Sequence, residues 1–345
     1  MADISPEDIA FLAQLGFRSG DPGLQWRCLL RKGKVLLFFE NSSEGLKRAL
    51  DLYLPQKASG KALVCLLKKV TFFRTFLPLL EGSFEVGSPV MEVTNGNAPS
   101  LLFGNSLQKH RRAILSFRDE AEVVVKMGVG KLARLAVESE IEALEEFKSL
   151  PGVPGVKRSW RRKEWSAFSM VPLRSPTIRS IEEVVTLVSR WKDDEKVPLD
   201  SLSCWNSISG ITEDGWGEHL ANLNVIIRPT VRHGDLAPWN LMRAPEGCLQ
   251  VIDWEGAKSR SVPGWDLVHF FLIRGSLVKG LSGQNLLNEV NLSLDSEKVM
   301  SYLSECGWTE NHRDDLVASY LLMMRDELGE WSEILDLVGA RRTRK

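Results

Sequence analysis

The first hundred residues mix two kinds of spacing. WRCLL (26–30) and KVLLFFE (34–40) are short runs rich in strand formers, separated by RKGK, and predict a hairpin. SSEGLKRALDLYL (42–54) opens on Ser42 and Ser43, both suited to a helix N-cap. It carries Leu46, Leu50 and Leu54 at helical spacing and stops at Pro55. ALVCLLKKVTFFRTFLPLL (62–80) predicts a second helix. EGSFEVGSPVMEVTNGNAPS (81–100) is polar and bears Gly and Pro, and a linker is expected there.

Beyond residue 100 the pattern sharpens. RAILSF (112–117) and EVVVKM (122–127), joined by RDEA, predict an antiparallel hairpin. KLARLAVESEIEALEEFKSL (131–150) has apolar residues at 132, 135, 137, 141, 144 and 147, which is close to helical spacing, and PGVPG (151–155) ends it. EWSAFSMVPL (164–173) predicts a strand running into a hinge-like connection. From about residue 178 the spacing is mostly helical, over 181–194, 215–227, 266–281 and most of 284–339. Strand-like runs flank VRHGDLAPWNLM (231–242) and recur in LQVIDW (249–254), with APEG (244–247) as the turn.

Composition narrows the function classes. The 345 residues are 43% hydrophobic and 26% charged, with 44 basic and 45 acidic side chains and a net charge of −1. Such a balance fits a globular chain and gives no global basic excess for nucleic acid. The cysteines at 28, 65, 204, 248 and 306 form no C-x-x-C pair, and reduced thiols in a cytoplasmic protein are expected. The N-terminal MADISPEDIAFLAQLGF lacks the basic region and apolar core of a secretory leader. The most apolar stretch, 70–80, contains Arg74 and Pro78, so no integral membrane segment is expected.

The chemistry-bearing residues cluster late in the chain. Asp235 and Asn240 are five apart, and Asp253 closes an apolar run thirteen residues further on. Two carboxylates and an amide oxygen on one hairpin suit Mg²⁺, which takes a few protein oxygens and fills its other sites with water and phosphate. A separate carboxylate beside a hydroxyl orients it or accepts its proton. Lys126 interrupts the apolar VVVKM, where a lysine is costly unless its amine reaches a partner. Glu140 on the following helix is the expected partner, with Glu138 on the same helix as its competitor.

HGDxxxxN followed by IDWE and GWDL resembles the aminoglycoside phosphotransferase and choline kinase group, the small-molecule branch of the protein-kinase-like fold. The resemblance runs over residues 100–345 in order of elements and is specific in sequence over 231–270. It implies an α+β, two-lobed architecture, with a β-rich N-lobe at 99–172 and a helical C-lobe at 173–345; residues 1–98 fall outside the family pattern and are expected to form an extra α/β unit. It implies an ATP- or GTP- and Mg²⁺-dependent phosphotransferase acting on a hydroxyl of an aminoglycoside, amino alcohol or sugar. Asp235 is then the catalytic residue, and Asn240 and Asp253 hold the metal. Lys126 and Glu140 form the pair that holds the donor phosphates. Gly104, Asn105 and Ser106 in FGNSLQKHRR (103–112), helped by Lys109 or Arg111, cover the phosphates, and Met170 completes the cofactor-binding set. Asp266 becomes a structural residue.

His233 is expected to be a hydrogen-bonding scaffold, Glu255 to hold the loop, and Trp239, Trp254 and Trp265 to serve packing. The competing expectation is a catalytically silent kinase-like nucleotide-binding or scaffold module. The single glycine of 103–112 and the extra unit, a candidate surface for a protein partner, favour it; the intact Lys, Asp, Asn and Asp positions oppose it.

Overall fold

The computed structural model describes residues 4–20, 24–53, 55, 58–69, 79–104, 111–174, 180–209, 216–325 and 331–342. The chain divides into two compact units, one of residues 1–148, 154–175 and 244–246, the other of 149–153, 176–243 and 247–345. No helix among the described residues is long and apolar enough to cross a membrane.

The first unit contains α1 (Pro6–Gln14), β1 (Phe17–Gly20), β2 (Leu24–Arg31), β3 (Lys34–Glu40), α2 (Ser43–Leu52), α3 (Ala58–Lys69), β4 (Leu79–Val86) and α4 (Val90–Thr94). It continues with β5 (Ser100–Phe103), β6 (Arg112–Arg118), β7 (Glu122–Val129), α5 (Lys131–Glu146), β8 (Val156–Arg161) and β9 (Trp165–Met170). Among the described residues its nine strands form one sheet in the order β1-β4-β2-β3-β5-β6-β7-β9-β8. Strands from before and after residue 98 are direct neighbours, since Leu37 and Phe38 of β3 pair with Leu102 and Leu101 of β5.

Alternation along β3 sends successive side chains to opposite faces. Phe38 joins one core with Phe17, Trp26, Phe103, Leu115 and Met127. Leu37 and Phe39 join another with Leu46, Ala49 and Leu50 of α2. Trp26 stacks on Phe38 with ring centroids 4.7 Å apart. Burial beside Asp8 pushes the Cys28 thiol up to about 11, so it stays protonated as a packing group.

Two expectations change here. The helix expected over 62–80 is α3, ending at Lys69; residues 70–78 lie outside the described residues, and 79–80 begin a strand. The stretch expected to be a linker carries most of β4, paired antiparallel with both β1 and β2. Its Gly82 and Ser83 carry a weak strand signal, and the hydrogen bonds that make it a strand come from residues more than fifty positions earlier. Strand β8 (VKRSWR) has only one buried side chain because it is the sheet's last strand, where Lys and Arg discourage further pairing.

The second unit is mainly helical. It contains α6 (Ile181–Val188), β10 (Val197–Pro198), α7 (Ser203–Ser209), α8 (Trp216–Ala221), β11 (Ile226–Ile227), β12 (Thr230–Arg232), β13 (Leu241–Arg243), β14 (Leu249–Val251) and β15 (Lys258–Ser261). Helices α9 (Trp265–Ile273), α10 (Gly283–Leu294), α11 (Glu297–Glu305), α12 (Arg313–Met323) and α13 (Ser332–Arg342) complete it. The helix expected over 215–227 stops at Ala221: the Asn222 side chain donates to the Glu218 carbonyl at 2.8 Å, and β11 then pairs with β10.

Candidate active site

The first unit supplies a buried cation. Lys126 lies near the middle of β7, facing Ile114 of β6 on one side and Phe168 of β9 on the other. Its side chain is 11% exposed, and the ammonium pairs with the Glu140 carboxylate of α5, itself 1% exposed. Glu138 points elsewhere. It accepts from Arg134 Nη1 at 2.8 and 2.9 Å and from Ser166 Oγ at 2.7 Å. Residues two apart on a helix face in nearly opposite directions, so only one of the two glutamates can reach β7. Close packing of α5 on β7 depends on Gly128, where a Cβ would sit 2.2 Å from the Ala133 carbonyl oxygen.

Of the expected phosphate-covering residues, Gly104 donates its N–H to the Arg112 carbonyl at 2.8 Å. Asn105, Ser106 and Lys109 lie outside the described residues. Arg111 is already engaged: Nη1 donates to Asp8 Oδ1 at 2.6 Å, and the guanidinium lies over Phe11 and Phe103. Asp8 is wholly buried and also accepts from the Val35 N–H at 2.9 Å. Arg111 therefore pins α1 to the sheet. Met170, 8% exposed, ends β9 opposite Val124 and Val156.

The second unit holds the loop His233–Asn240 between β12 and β13. Strands β13 and β14 pair with Leu241 opposite Val251, and the Ile252 N–H continues the ladder to the Asn240 carbonyl at 2.8 Å. This places Asp253 one residue beyond a partner of Asn240. Asp253 adopts φ 74, ψ 55, a left-handed conformation that Asp and Asn tolerate better than other side chains. Strain at a carboxylate is a frequent mark of a functional position.

Gly234 has φ +91, and a Cβ there would lie 2.7 Å from the Gly256 carbonyl oxygen. Only glycine fits between His233 and Asp235. Asp266, in the first turn of α9, accepts from the His233 N–H at 2.7 Å and the Gly234 N–H at 3.0 Å. Replacing Asp266 by alanine strips both donors of their partner, with an expected loss of about 3 kcal/mol. A shift of the urea unfolding midpoint measures it; an unchanged midpoint would show that the loop is held by something else.

His233 is fully buried, and burial lowers its pKa despite the nearby Asp266, Asp235 and Asp253. Its Nε2 lies 3.0 Å from the Ile252 carbonyl, and Nδ1 accepts the Asp235 N–H at 3.2 Å. Both nitrogens of this neutral ring bind backbone, which makes it scaffold. Asp235 has a half-exposed side chain. Burial acts to raise its pKa, but the hydrogen bond from His269 outweighs it, and the carboxyl is held below its ordinary value. Asn240 Nδ2 donates to Asp235 Oδ2 and to the Asp235 carbonyl, each at 2.9 Å. Those two acceptors set the amide's orientation and leave Oδ1 as its acceptor atom.

Trp254 and Trp265 are fully buried and donate to the Val251 carbonyl at 2.6 Å and to Ser319 Oγ at 3.0 Å. Trp239 is half-buried. Among the described residues no group of three or more His, Cys, Asp and Glu side chains forms a metal cage. The donor set of one carboxylate, Asp253, and one amide oxygen, Asn240 Oδ1, fits Mg²⁺, which keeps water and substrate phosphate in its remaining positions.

The chain is similar to solved small-molecule phosphotransferases. An aminoglycoside phosphotransferase, APH(3'')-Id, from Streptomyces rimosus matches with a TM-score of 0.39 at 15% identity, over 65% of this chain and 91% of that one. A thermostable mutant of aminoglycoside phosphotransferase APH(4)-Ia, solved as a ternary complex with ADP and hygromycin B, matches with a TM-score of 0.42 at 11% identity, over 73% and 94%. A putative fructosamine-3-kinase from Haemophilus somnus matches with a TM-score of 0.41 at 15% identity, over 73% and 95%. No family model matches the chain, and none of the curated proteins matches it in sequence.

No sequence motif names His269, yet its Nε2 lies 3.1 Å from Asp235 Oδ1. A signal was present: His269 follows Asp266 by three positions on one helix, so both side chains face the same loop.

Proposed function

We propose that the protein is a Mg²⁺- and ATP-dependent phosphotransferase acting on a hydroxyl group of a small molecule. The observation that carries this reading is the hairpin site of the second unit. There Asp235 has a half-exposed carboxylate, Asn240 is fixed through its amide nitrogen, and Asp253 follows Asn240's backbone partner. The buried Lys126–Glu140 pair of the first unit adds a fixed cation for the donor phosphates.

Each residue has one job. Lys126 binds the α and β phosphates, and Glu140 keeps its ammonium in place. Gly104 and Met170 belong to the nucleotide side. Asn240 Oδ1 and the Asp253 carboxylate hold Mg²⁺, whose charge offsets that of the donor phosphates. Asp235 orients the acceptor hydroxyl and takes its proton as the oxygen attacks the γ-phosphorus. The bond to the bridging oxygen breaks, and ADP leaves. Positioning and charge supply the rate, since this transfer asks little covalent chemistry of the protein. Aminoglycosides, amino alcohols and sugars are the acceptor classes to try.

Thermal shift with ATP or GTP, with and without Mg²⁺, tests the nucleotide part, and γ-phosphate transfer to a panel of those acceptors tests the rest. Wild type is expected to be stabilised by Mg-ATP. Lys126→Met should weaken nucleotide binding about tenfold or more, as loss of a buried charge-assisted contact does. Equal nucleotide affinity in wild type and Lys126→Met would remove Lys126 from the site. No stabilisation of wild type by any nucleotide would favour the silent scaffold.

A further inference from the structure

Behind Asp235 lies a chain of hydrogen bonds that the reaction described above does not use. Helix α9 is buried along its whole length. Asp266 in its first turn holds the backbone of the loop, and His269, three residues on, reaches the loop's reactive side chain. The other ring nitrogen, Nδ1, meets the Tyr320 hydroxyl of α12. Trp331 stands edge-on to the ring, with centroids 6.2 Å apart. His269 is 5% exposed and Tyr320 2%. Ser319, next to Tyr320, accepts from Trp265 Nε1, so two consecutive residues of α12 fix two residues of α9.

These partners select one tautomer of the neutral ring. An ionised carboxylate only accepts, so the hydrogen facing Asp235 sits on Nε2. Nδ1 then carries a lone pair and accepts the Tyr320 O–H. Asp235 Oδ2 is held independently by Asn240. The carboxylate is therefore gripped from two directions, by its own loop through Asn240 and by the helical core through His269. Asn240 alone leaves rotation about the Asp235 side-chain bonds poorly restrained. A second fixed donor on the other oxygen removes that freedom.

The geometry points to His269 as a positioning residue for Asp235, with Tyr320 setting its tautomer, so that α9 and α12 aim the carboxylate at the acceptor hydroxyl. This rests on the phosphotransferase reading for its kinetic consequence and on the imidazole alone for its structural one. A base oriented by a third group is a recurring arrangement where a proton must be taken at a fixed place.

Two near-isosteric variants separate positioning from packing. In His269→Gln the amide nitrogen falls near Nε2 and can still donate to Asp235. In His269→Asn it falls near Nδ1 and cannot reach. With Mg-ATP turnover as the assay, kcat of the Gln variant should stay within about threefold of wild type. That of the Asn variant should fall by about thirty- to a hundredfold, the scale of a misplaced catalytic group. The KM for ATP should be unchanged in both, and their melting temperatures should match. Tyr320→Phe should lower kcat by about three- to tenfold, also at unchanged KM. Equal losses in Gln and Asn, no loss in either, or a defect in KM alone would overturn the proposal.

A second readout does not depend on turnover. In the full-length, nucleotide-free protein, ¹⁵N NMR should show His269 as the Nε2–H tautomer, its Nε2 signal moving in Asp235→Ala and both tautomers appearing in Tyr320→Phe. An Nδ1–H tautomer, or a ring indifferent to Asp235, would overturn the proposal. If wild type turned over no nucleotide at all, the phosphotransferase reading would fall, and the imidazole spectrum would still decide whether His269 positions Asp235.

Discussion

Asp235→Ala is expected to lower phosphoryl transfer by about a thousandfold, within the range that a positioned general base contributes, with nucleotide affinity almost unchanged. The variant removes the carboxylate proposed to face the acceptor. It leaves Asn240 anchored, because the amide also donates to the Asp235 main-chain carbonyl at 2.9 Å, which alanine retains. Alanine is a cleaner probe than asparagine. Both oxygens of Asp235 face donors, His269 on Oδ1 and Asn240 on Oδ2, so an amide NH₂ in that place would oppose one of them. Single-turnover transfer gives the rate and calorimetry the nucleotide Kd. A rate close to wild type would remove Asp235 from the reaction.

The second large effect is expected at Asp253. Asp253→Asn should abolish the gain in ATP affinity that Mg²⁺ brings. A loss on the order of a hundredfold in Mg-ATP affinity, with metal-free binding retained, is the expected scale for losing a hard carboxylate ligand. Asparagine is the right replacement here, because position 253 has φ 74 and asparagine shares aspartate's tolerance of that conformation. Alanine would add backbone strain to the loss of a ligand. Titrating ATP into wild type and variant, with Mg²⁺ and with EDTA, separates the two contributions. Equal Mg²⁺ enhancement in both proteins would show that the metal is held elsewhere.

Much of the site is legible because its parts are close in sequence. His233, Asp235, Asn240 and Asp253 fall within one loop and one hairpin, and the paired strands β13 and β14 are both visible as short apolar runs around a turn. Gly234 is legible for the same reason, since its positive φ is a local backbone demand. The resemblance at 231–270 marked Asp266 as structural, and its two hydrogen bonds to loop N–H groups show what it holds. Other features were hidden by distance. Strand β4 looked like a linker because its ladder partners are β1 and β2. Arg111 looked like a phosphate ligand because its partner, Asp8, is 103 residues away.

By itself the sequence determined the mixed strand and helix content, the hairpin that brings Asn240 next to Ile252, and the residue types able to hold a cation and take a proton. Those follow from short-range spacing and backbone preference. Only the tertiary structure decided which glutamate meets Lys126, that Arg111 is committed to Asp8, and that His269 and Tyr320 stand behind Asp235. Partners 34 and 51 residues apart meet there because buried polar groups must find hydrogen bonds in whatever surface packs against them. That surface exists only once the helices have assembled.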